Sequence, residues 1–208
     1  MIRNVRVGGV LLGGGEIPVQ SMTTTKTSDV ESSVAQILSL RNAGCDIVRV
    51  AVADEEDARA LRAIRARTDV PIVADVHFSA KLAVLAVENG ADKLRINPGN
   101  IGGDREIAYV ADCVKAHGIP VRVGANTGSI EKEHLARYGR SAEALVGSAL
   151  VNVAVLERHG VGDIVISVKA SDVPLTVEAY TFLRRQCDYP LHLGVTEAGT
   201  KDAGIVKS

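Results

Sequence analysis

Residues 71–102 have the sequence PIVADVHFSAKLAVLAVENGADKLRINPGNIG, which contains a strand, a helix and a second strand. The first strand ends in Asp75-Val-His77, and the second carries Arg95-Ile-Asn97. Because side chains alternate between the two faces of a strand, Asp75 shares a face with His77, and Arg95 shares one with Asn97. A charged arginine in a strand of Val, Ile and Leu is costly unless something pairs it. The stretch therefore predicts a buried sheet with polar chemistry where its strands end.

The same alternation of strand and helix extends over most of the chain. Strands that are nearly continuous apolar runs are typical of a parallel sheet covered by helices. The number of units favours a TIM (β/α)₈-type barrel over a Rossmann sheet, and no dinucleotide fingerprint follows any strand. Seven strands are predicted, at 19–23, 46–52, 72–77, 93–97, 120–124, 163–169 and 191–195, and seven helices, at 29–43, 54–68, 79–89, 104–117, 131–138, 141–159 and 173–187.

A barrel needs an eighth strand to remove its two edges. We therefore expect an incomplete α/β barrel of about seven units, with residues 16–208 as a barrel domain truncated before its last unit. Residues 1–15 are predicted to be an N-terminal β-hairpin and lead-in. The glycines at 13–15 lack the spacing of a phosphate loop, and a strand rather than a helix follows them.

Composition excludes several functional classes. A net charge of −1 with no basic run gives no support to nucleic-acid binding. The longest apolar runs are too short to cross a membrane, and the N-terminus is too polar for a signal peptide, so we expect a cytoplasmic protein. The three cysteines, Cys45, Cys113 and Cys187, are far apart in sequence, which predicts reduced thiols and a poor metal site.

Each strand from the second to the seventh places a basic side chain or a histidine on one common face. In a barrel this face is the interior, and the carboxyl ends of the strands meet at one mouth, where active sites of this fold lie. The cations there would repel one another, and Asp75 alone cannot balance them. A polyanionic ligand is the simplest compensation, which predicts a small substrate carrying a diphosphate. The inward positions are Arg49, His77, Arg95, Arg122, Lys169 and His192.

Other interpretations of single residues stay open at this point. One arginine in a barrel strand is commonly part of an internal ion pair, although several in one register disfavour that explanation. His192 lies early in its strand and is expected in the core, and Lys93 is assigned to the opposite face and expected in solvent. Glu197 lies past a strand end, so a proton donor or acceptor and a structural salt bridge are both open.

Eight segments resemble one known family, the 4-hydroxy-3-methylbut-2-enyl diphosphate synthases, which are iron–sulfur enzymes of non-mevalonate isoprenoid biosynthesis. The similarity spans nearly the whole chain in the family's order, and no single short motif carries it. The segments are VGGVLLGG at 7–14, PVQSMTTT at 18–25, AGCDIVRVAV at 43–52, ADVHF at 74–78, KLRINPGN at 93–100, VRVGANTGS at 121–129, SVKAS at 167–171 and LHLGVTEAG at 191–199.

The resemblance implies an oxidoreductase whose barrel binds 2-C-methyl-D-erythritol 2,4-cyclodiphosphate. The ring would be opened reductively with loss of water, giving the linear allylic diphosphate. By motif match, the diphosphate would be held by Arg49, His77, Arg95, Arg122 and Lys169, with hydrogen bonds from Asn97 and Asn126 and with Glu197 as the candidate catalytic acid or base.

The resemblance also implies parts that these 208 residues do not contain. In the family, a donor such as flavodoxin or ferredoxin supplies electrons to a [4Fe-4S] cluster in a smaller C-terminal domain. Family members are homodimers in which one subunit's cluster domain covers the other's barrel mouth. None of the three cysteines here falls in a cluster motif. We therefore expect no cluster on this chain, and weak substrate binding without turnover.

Two alternatives remain. A barrel enzyme of the dihydropteroate synthase type would share the phosphate chemistry at the strand ends, but it should show an acidic partner deep in the barrel, where only Asp75 is available. A non-enzymatic fragment could instead associate with another copy through the open edge between the first and last strands.

Overall fold

The computed structural model describes residues 2–128, 130 and 132–208. Its main sheet is parallel and has six strands in sequential order, so each strand pairs with the next one along the chain. The strands are β3 (Gln20–Met22), β4 (Ile47–Ala51), β5 (Ile72–Asp75), β6 (Lys93–Ile96), β7 (Val121–Asn126) and β8 (Ile164–Lys169).

Helices follow the strands and cover the outer face of the sheet. They are α1 (Val30–Asn42), α2 (Glu55–Arg65), α3 (Ala80–Glu88), α4 (Pro98–Ile101), α5 (Asp104–His117), α6 (Lys132–Tyr138), α7 (Ala142–Arg158), α8 (Val173–Arg184) and α9 (Lys201–Lys207). Asp29, Asp54 and Ser79 accept hydrogen bonds from first-turn amides, which explains where α1, α2 and α3 begin. None of the described helices is long and apolar enough to cross a membrane.

The apolar core lies between the sheet and these helices. Val48 and Val50 on the outer face of β4 are fully buried, as are Leu61 and Ile64 of α2. Alternation then directs the other residues of β4 to the barrel interior. The core thus orients the inner face, and polar side chains there face one another and not the helices.

The predicted N-terminal hairpin forms, with β1 (Val5–Val7) and β2 (Val10–Leu12) antiparallel. It packs against the barrel interior, since fully buried Val7 contacts a cluster with Ile47 of β4 and Val73 of β5. At the turn, Gly8 has a φ of +54°, a conformation that glycine adopts readily. The hairpin therefore covers Ile47 and Val73 at the end of the barrel where the strands begin.

The predicted seventh strand is wrong as a regular strand. Leu191 makes an isolated parallel bridge with Ile166 of β8, and the His192 amide donates to the Ile166 carbonyl at 2.8 Å. The Thr196 amide pairs again, with the Ala170 carbonyl at 3.1 Å. Between these bonds Gly194 has a φ of +155°, which interrupts the ladder. The segment follows β8 without forming a full strand.

Two helices end earlier than predicted, and an arginine explains each end. Arg65 closes α2 by donating to the carbonyls of Thr68 and Val70. Arg184 closes α8 in the same way, through the carbonyls of Cys187 and Tyr189. The short helices α4 and α9 were not predicted. The helix predicted at 131–138 runs from Lys132 to Tyr138, and Glu131 lies outside the described residues.

Candidate anion-binding site

A cavity of about 220 Å³ lies at the carboxyl ends of the strands, where sequence analysis places the chemistry. It contains side chains from five consecutive strands, β4 to β8, and from the segment after Leu191. Six of the eight predicted site residues line it, namely Arg49, His77, Arg95, Arg122, Asn126 and Lys169, together with Asp75, Gly124, Ala125, Ser167, Val195 and Thr196.

Strand register explains why these side chains meet. Asp75 of β5 pairs with Arg95 of β6, and Arg95 pairs with Arg122 of β7, so three charged inward residues lie side by side. Further along, Asn126 of β7 pairs with Lys169 of β8. Residues at the same height on neighbouring parallel strands are directed into the same space. The predicted convergence of cations at one mouth is therefore present.

Asp75 is the hub of the site. Its side chain is 6% exposed, and its Oδ1 lies 3.1 Å from Nη1 of Arg95 and 3.4 Å from Nε2 of His77. Its Oδ2 lies 3.7 Å from Nε of Arg49. One carboxylate thus contacts three basic groups, and among the described residues no second carboxylate lines the cavity. The net charge of the site is strongly positive.

Arg122 has the least compensated charge in the described part of the site. The residue is 3% exposed, and neither its Nε nor its Nη1 has a hydrogen-bond acceptor among the described residues. Burial, followed by the charges of Arg49 and Arg95, holds the pKa of Arg122 well below its usual range. Unpaired buried donors of this kind are rare in folded proteins, because each one costs its full desolvation penalty.

Burial also lowers the pKa values of Lys169 and Arg49. Burial, followed by the charges of Arg122, Arg49 and Arg95, lowers the pKa of Lys169 to about 7. Burial also lowers the pKa of Arg49, and Asp75 opposes that shift. Nε of Arg95 is a further buried donor that lacks an acceptor among the described residues. Multiple negatively charged oxygens in the cavity would relieve each of these shifts and unsatisfied donors.

Two glycines leave room for the polar groups. A Cβ added to Gly124 would lie 2.6 Å from Oγ of Ser167, and one added to Gly194 would lie 3.0 Å from Nζ of Lys169. Both distances are too short for an unchanged structure. The absence of side chains at these positions therefore allows Ser167 and Lys169 to occupy the cavity.

The other two predicted site residues lie outside the lining. Asn97 caps α4, and its Oδ1 accepts from the Gly99 amide at 3.1 Å. Glu197 is exposed and has a φ of +49°, a conformation rare for residues other than glycine. Its Oε1 comes within 3.9 Å of a Cβ placed on Gly128, in the loop that follows Asn126. Glu197 thus lies near the rim of the mouth.

Lys93 contradicts the prediction that it faces solvent. It is 1% exposed and lies on the inner face of β6, as its two-residue spacing from Arg95 requires. His192, which is expected in the core, is partly buried, and burial followed by the surrounding cations holds its pKa far below the usual range. Alternation along the strands also directs Ser167 and Thr196 inward, and both line the cavity, although neither is among the eight predicted site residues.

The cysteines give no iron–sulfur site within the described residues. Sγ of Cys45 donates to the Ile47 carbonyl at 3.0 Å, whereas Cys113 lies on α5 beside His117. No group of three or more His, Cys, Asp or Glu side chains among the described residues could hold a metal ion. This chain's described residues do not fit a [4Fe-4S] cluster.

Comparison with known proteins gives a consistent result. The model of the GcpE TIM-barrel domain matches residues 2–208. The chain is 52% identical to the 4-hydroxy-3-methylbut-2-en-1-yl diphosphate synthase (flavodoxin) of Caldanaerobacter subterraneus subsp. tengcongensis over 210 residues, covering 100% of the chain and 59% of that protein. The protein of the same name from Thermotoga maritima is 53% identical over 209 residues, with the same coverage of each. The chain thus spans about three fifths of the length of these relatives.

Solved structures of lower identity share the fold. A type I 3-dehydroquinate dehydratase from Clostridium difficile superposes with a TM-score of 0.72 at 14% identity, covering 99% of this chain and 84% of that one. The dihydropteroate synthase of Yersinia pestis superposes with a TM-score of 0.67 at 12% identity, covering 92% of this chain and 74% of that one. At such identities the likeness supports the barrel architecture alone.

Proposed function

Because the chain belongs to the GcpE family, we propose that it is the substrate-binding barrel of a 4-hydroxy-3-methylbut-2-en-1-yl diphosphate synthase. The single observation that supports this most strongly is the buried guanidinium of Arg122, whose Nε and Nη1 lack acceptors among the described residues. A diphosphate presents several anionic oxygens that could accept from both nitrogens. The proposed substrate is 2-C-methyl-D-erythritol 2,4-cyclodiphosphate, opened reductively with loss of water.

The diphosphate is proposed to bind between Arg95, Arg122 and Lys169. Nη1 of Arg95 contacts Asp75, whereas its Nε has no acceptor among the described residues and can donate to a ligand oxygen. The ion pair therefore orients the guanidinium and leaves a donor for the ligand. Lys169 supplies a point charge from β8, the strand next to that of Arg122. Arg49 and His77 complete the positive lining through their contacts with Asp75.

The polar groups at the rim are proposed to act on the rest of the substrate. Asn126 lines the cavity, and Asn97 lies at the end of the neighbouring strand, so both are within reach of hydroxyl groups beyond the diphosphate. Glu197 is proposed as the acid or base that handles the proton of the departing water. Its exposed position favours a role that is completed only when the mouth is covered.

The redox chemistry is proposed to belong to the part of the family protein beyond these residues. A [4Fe-4S] cluster held there would supply single electrons, with flavodoxin, named in the relatives' descriptions, or ferredoxin as donor. The complete protein is proposed to be a homodimer in which the cluster-bearing part covers the partner's mouth. The pterin-binding alternative is weaker, because Asp75 is already engaged by Arg49, Arg95 and His77.

Titration calorimetry with inorganic diphosphate tests the binding role. The chain should bind it, and Arg122→Met should weaken binding by about tenfold or more, because charge-assisted hydrogen bonds are lost. Without ligand, Arg122→Met should raise Tm, since an apolar side chain replaces an uncompensated buried charge. Arg62→Met removes an exposed arginine of α2 and serves as the matched control. Unchanged affinity in Arg122→Met, or no binding by the wild-type chain, would contradict the proposal.

A second experiment tests whether the chain alone can carry out the reduction. The purified chain, given the cyclodiphosphate and a strong chemical reductant, should form no linear diphosphate, because its described residues offer no cluster site. Product can be followed by phosphorus NMR. Catalytic turnover under these conditions would show that the redox centre is not required.

A further inference from the structure

Lys93 is a buried lysine that the proposed binding role does not use. It begins β6 on the inner face and lies two residues before Arg95, which places it about 7 Å deeper in the barrel. Its Nζ donates to Oε1 of Gln20 at 3.3 Å. Among the described residues no carboxylate forms an ion pair with it. A lysine this buried, with one amide oxygen as its recorded partner, needs an explanation.

Charged and titratable groups on β4 to β8, and on the segment beyond β8, face the barrel interior around Lys93. Towards the mouth they are predominantly positive, which explains why burial, then Arg122 and Arg49, lower the pKa of Lys93 to about 7. Burial and the same cations also lower the pKa of His192. The groups facing the interior are Arg49 on β4, Asp75 on β5, Arg95 on β6, Arg122 on β7, Lys169 on β8 and His192 beyond β8.

A second cavity, of about 400 Å³, gives Lys93 a connection to solvent. Lys93, Gln20 and His192 line it at the inner end. Ile17 and Leu193, which also line it, are 80% and 57% exposed, so the cavity opens at the surface between β3 and the segment after β8. Glu16 and Arg184 are the charged groups at that side. Water in this cavity can deliver a proton to Nζ without passing through the mouth.

We propose that Lys93 is a positioning residue of the anion site. When an anion occupies the mouth, Lys93 takes up a proton through the second cavity, and its charge then acts on the anion through Arg122. The inference rests on the proposed diphosphate binding. Without ligand, a charged Lys93 is opposed by Arg49 and Arg122. Negative oxygens above Arg122 offset that repulsion, so the bound state favours the ammonium form. Above neutral pH, the binding of diphosphate should therefore cause Lys93 to take up a proton.

The sign of the pH effect follows from linkage. Below about pH 7 Lys93 is already protonated in the free chain, so binding takes up no further proton there. Above that pH the free amine is neutral, and uptake should rise towards about one proton for this group. Lys169 should behave similarly, because its pKa is also about 7. The wild-type chain should thus show two lysines changing protonation state on binding.

Calorimetry with inorganic diphosphate at pH 8, in buffers of different ionisation enthalpy, measures proton uptake directly. Lys93→Met should lower it by about one proton and weaken affinity roughly three- to tenfold at pH 7, with a smaller difference at higher pH. Lys93→Arg should keep the affinity and also lose the uptake, because its charge is permanent. Comparison at one pH cancels the ligand's own titration. Lys81→Met, at an exposed lysine of α3, is the matched control.

A measurement on the unaltered chain covers the case in which both variants fail to fold. Carbon-13 labelling of lysine ε-methylenes reports protonation, and two lysine signals should shift on diphosphate addition at pH 8. The inference is overturned if the wild-type chain binds but only one lysine signal shifts, or if Lys93→Met retains wild-type uptake. If the wild-type chain does not bind diphosphate at all, the proposed function falls first and the inference with it.

Discussion

The two ends of the barrel interior are formed by the same strands but differ in the polarity of their side chains. At the end where the strands begin, Ile47 and Val73 pack against Val7 of the hairpin in an apolar cluster, beside buried Lys93, which pairs with Val73. One inward step further along the same two strands are Arg49 and Asp75, which face a cavity with unsatisfied donors. The difference indicates that the apolar cluster contributes stability, whereas the mouth holds more positive charge than Asp75 alone can balance.

The largest effect is expected from Asp75→Asn, which removes the mouth's carboxylate. Because three basic groups would lose their shared partner, the free energy of unfolding should fall by about 3–5 kcal/mol. Inorganic diphosphate should restore more stability to this variant than to the wild type. Urea denaturation with and without diphosphate measures both. Asp69→Asn, at a 72% exposed carboxylate, is the control and should cost less than about 1 kcal/mol. Equal losses in the two variants would contradict the hub role.

A smaller effect is expected at the end with the apolar cluster. Val7→Ala removes buried methyl groups from the hairpin cluster and should lower the free energy of unfolding by about 1–3 kcal/mol. Diphosphate affinity of the folded chain should stay within about twofold of wild type, because Val7 contacts no residue of the mouth cavity. Calorimetry on the variant tests this, and a large loss of affinity would show that the two ends are coupled.

The smallest effect is expected from Glu197→Gln. Its carboxylate lies outside the cavity lining, so diphosphate affinity should change by less than about twofold. In a complete protein of the family, the same substitution should lower kcat by at least about a hundredfold if the residue transfers a proton. Affinity that rises markedly in Glu197→Gln would instead indicate that the carboxylate repels the anion directly.

Local alternation predicted most of the site, and its failures have identifiable causes. Arg95 and Arg122 were predicted to face inward because their neighbours in sequence are apolar. Lys93 lies two residues before Arg95 and therefore shares its inward face, so the assignment of Lys93 to the opposite face misread the alternation. The ligand role of Asn97 stays a prediction, and the local hydrogen bond that its side-chain oxygen accepts from the Gly99 amide was not foreseen. The left-handed backbone of Glu197 has no clear signal in the sequence.

By itself, the sequence determined the succession of strands and helices and the side of each strand that faces inward, because a period of two or 3.6 residues depends on near neighbours. Only the tertiary structure decided which charges meet. Asp75 contacts Arg49 and Arg95, at distances of 26 and 20 residues along the chain, through the pairing of separate strands. The burial of Arg122 and the packing of the hairpin on Ile47 and Val73 depend on the same long-range contacts. Register between strands sets these contacts, and register is a property of the assembled sheet.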